Sequence, residues 1–259
     1  MSTILAALDT TAAARPVMET AIRIGELTGT RVEALHVADG PTETPESLAE
    51  RAGVTLRLLE GPVDQVLMAA VGSPEVLAVV VGARATPGGR RPVGRTAHHV
   101  LRHARKPVVV VPPEMVAPGP IRRLLLPLEG TEISSRPVLE HLCPLLGSGV
   151  ELVVLHVFTD ATLPAMLDRP DDDLRILGGE FLARHCPRAT HIELRAGPVG
   201  RRVAEVSGER GADLVVLSWS QDSGAGRARV VREVLGASTL PVMLLPLAPP
   251  GDDDPIPRT

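Results

Sequence analysis

From residue 76 to residue 113 the chain carries no acidic side chain, while Arg84, Arg90, Arg91, Arg95, Arg102, Arg105 and Lys106 supply seven positive charges. In a protein of net charge -4 such a segment is a local trap for anions. Two glycines add backbone chemistry to it. Gly82 follows the apolar run 77–81, where the missing Cβ permits a tight turn and close approach of a ligand to the main chain. Gly94-Arg95-Thr96 precedes a helical stretch whose free amides and dipole favour a phosphate. The chemistry expected here is anion binding.

Catalytic constellations are poor. The sequence has no His-Glu-x-x-His, no Gly-x-Ser-x-Gly, no Walker loop and no Gly-x-Gly-x-x-Gly opening a helix after a strand. His98, His99 and His103 include an i, i+4 pair, but no third ligand follows at metal-site spacing, so the cluster reads as a solvated or phosphate-facing helix. Neither a catalytic nor a metal site is assigned. Cys143 and Cys186 fit no metal-knuckle or Cys-x-x-Cys pattern and are expected to be buried structural thiols in a reducing compartment.

The elements that must hold these groups are legible as short apolar runs at 4–8, 32–37, 77–81, 108–111, 124–128, 152–157, 214–217 and 242–245. Runs without polar alternation suit strands buried on both faces of a parallel sheet. Between them lie amphipathic stretches such as Val17, Ala21, Ile24 and Leu27, and Val138, Leu139, Leu142 and Leu145. Alternation of the two implies an α/β fold.

The pattern occurs twice. Leu8-Asp9 recurs as Leu128-Glu129 and Leu35-His36-Val37 as Leu155-His156-Val157, both at an offset of 120. Gly61-Pro62-Val63 recurs as Gly197-Pro198-Val199 at 136, and Val100-Leu101 and Pro107-Val108 recur as Val234-Leu235 and Pro241-Val242 at 134. The copies are divided by the proline-rich stretch 112–120, which gives units 1–117 and 118–247 and a tail, 248–259, expected to be disordered. Asp171-Asp172-Asp173, in the second copy's insertion, is expected to begin a helix.

Asp9-Thr10-Thr11 after a strand, His36-Val37, Gly61-Pro62, the 82–96 loop and the ending Val-Leu-Arg-His-Ala-Arg-Lys-Pro-Val-Val-Val-Val-Pro together resemble the universal stress protein family, as two tandem copies over essentially the whole chain. The resemblance implies two doubly wound domains, each a five-stranded parallel sheet of order 3-2-1-4-5 with helices on both faces. It also implies that the last strands pair edge to edge, here within one chain, to make a pseudo-dimer. Family membership further implies an adenine-nucleotide site, with ATP as ligand, beyond the carboxyl ends of the first and fourth strands; Mg2+ bridging the phosphates belongs to the alternative of slow hydrolysis.

Carried over by position, Asp9 and Thr10 lie near the adenine or ribose, and the Val37 backbone approaches the base. Gly82 and Gly94 are the first and third loop glycines, with Arg84 in the loop between them. Ala85 replaces the second glycine, and Arg95 stands where a small hydroxyl residue is expected, followed by Thr96. A left-handed Ala85 would cost about 1–2 kcal/mol, weakening binding about tenfold; Gly88 or Gly89 could supply the turn, and Arg95 could meet a phosphate itself. In the second copy Ser218, Gln221 and Ala228 replace all three glycines, and Glu129 replaces Asp9. This copy is expected not to bind ATP and to be a structural partner.

The remaining composition narrows function by exclusion. With no tyrosine, two phenylalanines and one tryptophan, stacking platforms for single-stranded nucleic acid are missing. The first copy balances twelve acidic against twelve basic residues and the second has nineteen against fifteen, so no nucleic-acid partner is expected. Twenty-six of the 27 basic residues are arginine, a bias read as genomic composition. No apolar run is long enough to span a bilayer, and the opening Met-Ser-Thr-Ile-Leu has no basic region. A cytoplasmic regulatory binding protein without membrane partner follows, with slow ATP hydrolysis or a nucleotide-free scaffold as alternatives and further homodimerisation left open. Trp219 aligns with Ala83, inside the loop that lost its glycines, where it would either fill the second site or make a solvent-shielding core contact, and in both cases report on that loop alone.

Overall fold

The computed structural model describes residues 2–38, 43–83, 93–115, 118–147, 149–158, 171–221 and 227–247. The first half runs β1 (Thr3–Ala7), α1 (Ala14–Thr28), β2 (Arg31–Val37), α2 (Glu43–Ala52), β3 (Thr55–Leu59), α3 (Val63–Gly72), β4 (Val76–Gly82), α4 (Arg95–His103) and β5 (Val108–Val111). The second repeats it with β6 (Arg123–Pro127), α5 (Glu132–Pro137), β7 (Glu151–Phe158), α6 (Asp171–His185), β8 (His191–Ala196), α7 (Val199–Arg210), β9 (Leu214–Trp219), α8 (Arg227–Ala237) and β10 (Val242–Pro246). The expected tail, 248–259, lies outside the described residues. Among those residues no helix is long and apolar enough to cross a membrane.

All ten strands form one sheet of order β3-β2-β1-β4-β5-β10-β9-β6-β7-β8. Each half therefore has the 3-2-1-4-5 order, and the halves join where β5 and β10 pair antiparallel, Val109 opposite Met243. Every other pairing is parallel. The sequence dictates this arrangement through burial on both sheet faces. Ile4 and Ala6 point into one core with Val17, Ala21 and Ile24 of α1, while Leu5 points into the other with Leu67 of α3 and Val100 of α4. Both cores run without interruption across the β5–β10 seam, which supplies Val109 and Met243 to the first and Val110 and Leu244 to the second.

Two strands are not among the apolar runs. β3 and β8 are the outer edges of the sheet, and their sequences TLRLL and HIELRA carry polar and charged side chains because one flank faces solvent. The helix expected around Val138, Leu139, Leu142 and Leu145 is also not continuous. α5 ends at Pro137, a π-helical turn spans Val138–Leu142, and a 3-10 turn spans Cys143–Leu145. Prolines at 137 and 144 remove two backbone donors from what would be an α-helical ladder, and the chain widens and then tightens around them. Val138 and Leu142 still reach the core. The helix expected at the aspartate run does begin at Asp171.

Candidate functional site

Register brings the carboxyl ends of β2, β1 and β4 side by side, with Ala7 opposite Leu35 and Ala6 opposite Val80. Asp9 leaves the end of β1 as an exposed carboxylate whose Oδ1 accepts from the Thr11 amide at 2.9 Å and the Thr11 hydroxyl at 2.7 Å. Thr11 Oγ1 in turn accepts from the Ala13 amide at 3.2 Å. This chain of short turns feeds the strand into α1 and leaves Thr10 exposed. Val37 is the last residue of β2 and is buried. Its neighbour His36 joins the two strand ends through a bond of 2.9 Å between Nδ1 and the Leu8 carbonyl. With Nδ1 donating, Nε2 is left as an acceptor, buried and without a partner among the described residues.

Gly82 is the last residue of β4, so it ends the strand without forming a left-handed turn. A Cβ there would meet Val17 and Ala13 at 3.6 and 3.8 Å, ordinary contact distances, so the protein's own packing does not demand a glycine. The chain leaves through Ala83, whose amide donates to the Val111 carbonyl at 2.7 Å and whose carbonyl accepts from the Gly94 amide at 2.6 Å. That second bond delivers the start of α4 to the mouth of β4. Gly94 is the N-cap in an extended conformation, no side chain among the described residues caps the helix, Arg95 is exposed and Thr96 half-buried. The first-turn amides of α4 are therefore available to an anion. Arg84 and Ala85, together with Gly88 and Gly89, lie outside the described residues.

The seven-charge reading of this segment contracts. Lys106 Nζ donates to the Ser73 carbonyl and, at 2.5 Å, to the Val76 carbonyl. Those acceptors lie at the opposite end of β4 from Gly82, about 20 Å away along a strand. Burial there lowers the lysine pKa. Arg102 and His103 fall in the last turn of α4, away from its N-terminus. His103 Nδ1 lies 2.8 Å from the His99 carbonyl, and among the described residues no group of three His, Cys, Asp or Glu could hold a metal.

The second copy repeats the frame and fills it. His156 Nδ1 lies 2.9 Å from the Leu128 carbonyl, as His36 does with Leu8. Gly130, at φ 83°, has Phe181 Cε2 3.0 Å from where a Cβ would stand. The Phe181 ring stacks 4.7 Å from both His156 and His185. Phe181 is the residue that sequence reasoning missed; its signal was a lone aromatic on the helix following the second His-Val. Trp219 does not fill the site. It is the buried last residue of β9, and its Nε1 donates across the seam to the Leu101 carbonyl of α4 at 3.1 Å. Gln221, left-handed at φ 59°, donates to the Leu101 and Ala104 carbonyls beside it. Trp219 fluorescence therefore reports on the first copy's helix as well. Ser218 Oγ is committed to the Ser134 carbonyl and Arg229 to Glu233 at 2.7 Å.

His185 gives this region a pH dependence. Burial, followed by the charges of Arg184 and His156, lowers its pKa below the ordinary value of 6.5. The unfolded chain then takes up the proton first, so stability should fall as pH drops through about 6.5. Thermal unfolding between about pH 7.5 and pH 5.5 should show a larger loss for the native chain than for His185→Gln. Equal losses would remove His185 from the account.

The sequence matches the model of the universal stress protein family over residues 48–112 and 120–246. The first stretch contains Gly82, Gly94, Arg95 and Thr96, while Asp9, Thr10 and Val37 precede it. No curated protein matches the sequence significantly. The structure is similar to that of a functionally unknown protein from Pseudomonas aeruginosa PAO1, with a TM-score of 0.70 and 14% identity over 95% of this chain and 93% of that one. It is also similar to a universal stress protein from Archaeoglobus fulgidus DSM 4304, at 0.62 and 16% over 97% of each. A third likeness is to the cytoplasmic domain of a prokaryotic cation chloride cotransporter, at 0.53 and 14% over 94% of each. At these identities the likeness is one of fold, and it is the two family-matched stretches, one in each half, that decide membership: the chain belongs to the universal stress protein family.

Proposed function

We propose that this chain is a cytoplasmic regulatory protein that binds one adenine nucleotide, ATP, in its first copy, and that the second copy serves as its structural partner. Asp9, Thr10 and Val37 would take the adenosine; Gly82, Arg84, Ala85, Gly94, Arg95 and Thr96 would take the phosphates, with Mg2+ able to share their charge. The units are 1–117 and 118–247. The observation that carries the reading is the start of α4, without a side-chain cap among the described residues and held at the end of β4 by the bond from Gly94 to Ala83. On the α1 face of the sheet the buried Nε2 of His36, without a partner among the described residues, is open to a donor from a ligand or water. In the second copy Phe181 lies against Gly130 and Arg229 is paired to Glu233, which argues against a second nucleotide.

Calorimetric titration of ATP, with and without Mg2+, tests the proposal. Asp9→Ala and Gly94→Val should each weaken binding at least about tenfold, about 1.4 kcal/mol, while Glu129→Ala should leave it unchanged. An equal loss from Glu129→Ala would sink the one-site reading. Absence of binding at millimolar ATP, with no nucleotide released on denaturing fresh protein, would favour the scaffold. Asp9's bonds to Thr11 give that alternative its one structural support, since they occupy the carboxylate with turn formation. No side chain is assigned to hydrolysis. Phosphate release lost in Asp9→Ala would call for one.

A further inference from the structure

Cys143 and Cys186 are distant in sequence and neighbours in the fold. Cys143 opens the 3-10 turn that follows the π-helical turn, and Cys186 is the residue immediately after α6. Both are buried, in the same apolar core as Val138, Leu142 and Leu146, and near enough for each thiol to shift the other's pKa. The turns that carry them are tied together by Arg188. Its guanidinium donates to the carbonyls of Cys143, Leu146 and Gly147, the last two at 2.8 Å. The Ala189 amide closes the turn on the Cys186 carbonyl at 2.9 Å. Two neighbouring thiols, on segments fixed by three bonds from one arginine, form a preorganised pair.

We infer that Cys143 and Cys186 are a reversible dithiol switch that a hydroperoxide closes to an intrachain disulfide. Cys143 is the attacking sulfur and Cys186 the resolving one. The roles follow from exposure and charge. Cys143 is 7% exposed and Cys186 0%, so an oxidant reaches Cys143 first. Interaction with the Cys186 thiol, opposed by burial and helped by the nearby Arg188 charge, lowers the Cys143 pKa. The same interaction, together with burial, raises that of Cys186, which stays protonated. The Cys143 thiolate attacks one peroxide oxygen and breaks the O–O bond, leaving a sulfenic acid and, for hydrogen peroxide, a hydroxide that leaves as water. Cys186 then displaces the sulfenic hydroxyl, which departs with the Cys186 proton as a second water. Two thiols and one peroxide give one disulfide and two waters, with two electrons passing from sulfur to oxygen.

The bond would close a loop of about 40 residues and fix the end of α6 to the turn after α5. Because α6 also carries Phe181 against Gly130, oxidation would hold the second copy in its filled form.

The test uses the full chain, reduced, freed of reductant and given a small excess of hydrogen peroxide under native conditions. Intact mass should fall by about 2 Da, and both thiols should disappear together without a disulfide-linked dimer on a non-reducing gel. Dithiothreitol should restore both. The unfolding midpoint of the oxidised chain should rise by about 5 °C. In Cys186→Ser, Cys143 should stop at a sulfenic acid trapped by dimedone, whereas in Cys143→Ser the remaining thiol should stay reduced. Persistence of both thiols in the native chain would overturn the inference. So would oxidation of Cys143 to sulfinic acid with Cys186 still free. Both readings come from the unaltered chain and do not depend on the serine variants folding.

Discussion

Trp219→Ala is expected to lower the stability of the whole chain by about 3–5 kcal/mol, the range for deleting a large buried aromatic side chain. The indole stands at the end of β9 in the core shared with Val100 and Leu101, and its N–H caps a carbonyl of α4 in the other half of the chain. Truncation therefore opens a cavity and leaves the Leu101 carbonyl with only the longer bond from Gln221, at 3.4 Å. Trp219→Phe keeps most of the volume and loses the donor, so its cost should be smaller, about 1–2 kcal/mol. Chemical denaturation followed by circular dichroism measures both. In the native chain this single tryptophan should emit as a buried indole and shift to longer wavelength on unfolding. A Trp219→Ala variant within about 1 kcal/mol of the native chain would mean that the seam does not rest on this side chain.

What the sequence leaves open at this residue, a filled site or a core contact, shows how far the pattern reaches. The strands and the repeat are consequences of apolar runs that need cover on two faces, and such runs are visible residue by residue; the strand order and the β5–β10 pairing are legible only through the family resemblance. The alignment correctly put Trp219 at the position of Ala83, directly after a buried strand. It could not show that the indole turns toward α4 across the seam, because that direction depends on which strand becomes the neighbour of β9 and β10. The same limit applies to Lys106. Counted with its neighbours it looked like part of an anion trap, whereas three-dimensional placement sends it to the amino end of β4. Asp9, Val37, Gly82 and Gly94 are different, since they lie at strand ends or at a helix start, and the order of elements alone brings these together. The two cysteines illustrate the reverse: no spacing rule relates positions 143 and 186, and only the fold makes them neighbours.

The second large effect concerns the seam itself. Residues 1–117, separated from the rest of the chain, are expected to self-associate, being mainly dimeric at about 10 μM and aggregating above it. The reason is the exposed flank of β5. Its four valines are all buried in the intact chain, and β10 satisfies its outer backbone groups through the antiparallel pairing of Val108, Val109 and Val110 with Leu244, Met243 and Val242. Without β10 that flank becomes a flat apolar edge, and another β5 is its nearest equivalent, because antiparallel pairing of like strands is two-fold symmetric. Such a homodimer would lack one thing. The carbonyls of Leu101 and Ala104, now capped by Trp219 and Gln221, would lose both donors, since the residues aligned with Trp219 and Gln221 are alanines without a donor side chain. The self-paired form should thus be weaker than the covalent one and concentration-dependent, which light scattering after size-exclusion chromatography would detect. A monomer at all concentrations would show that β5 needs no partner. An intermediate result has its own control: Val110→Lys in the fragment places a charge on the edge and should shift it toward monomer, as expected if the edge, and not some other face, drives association.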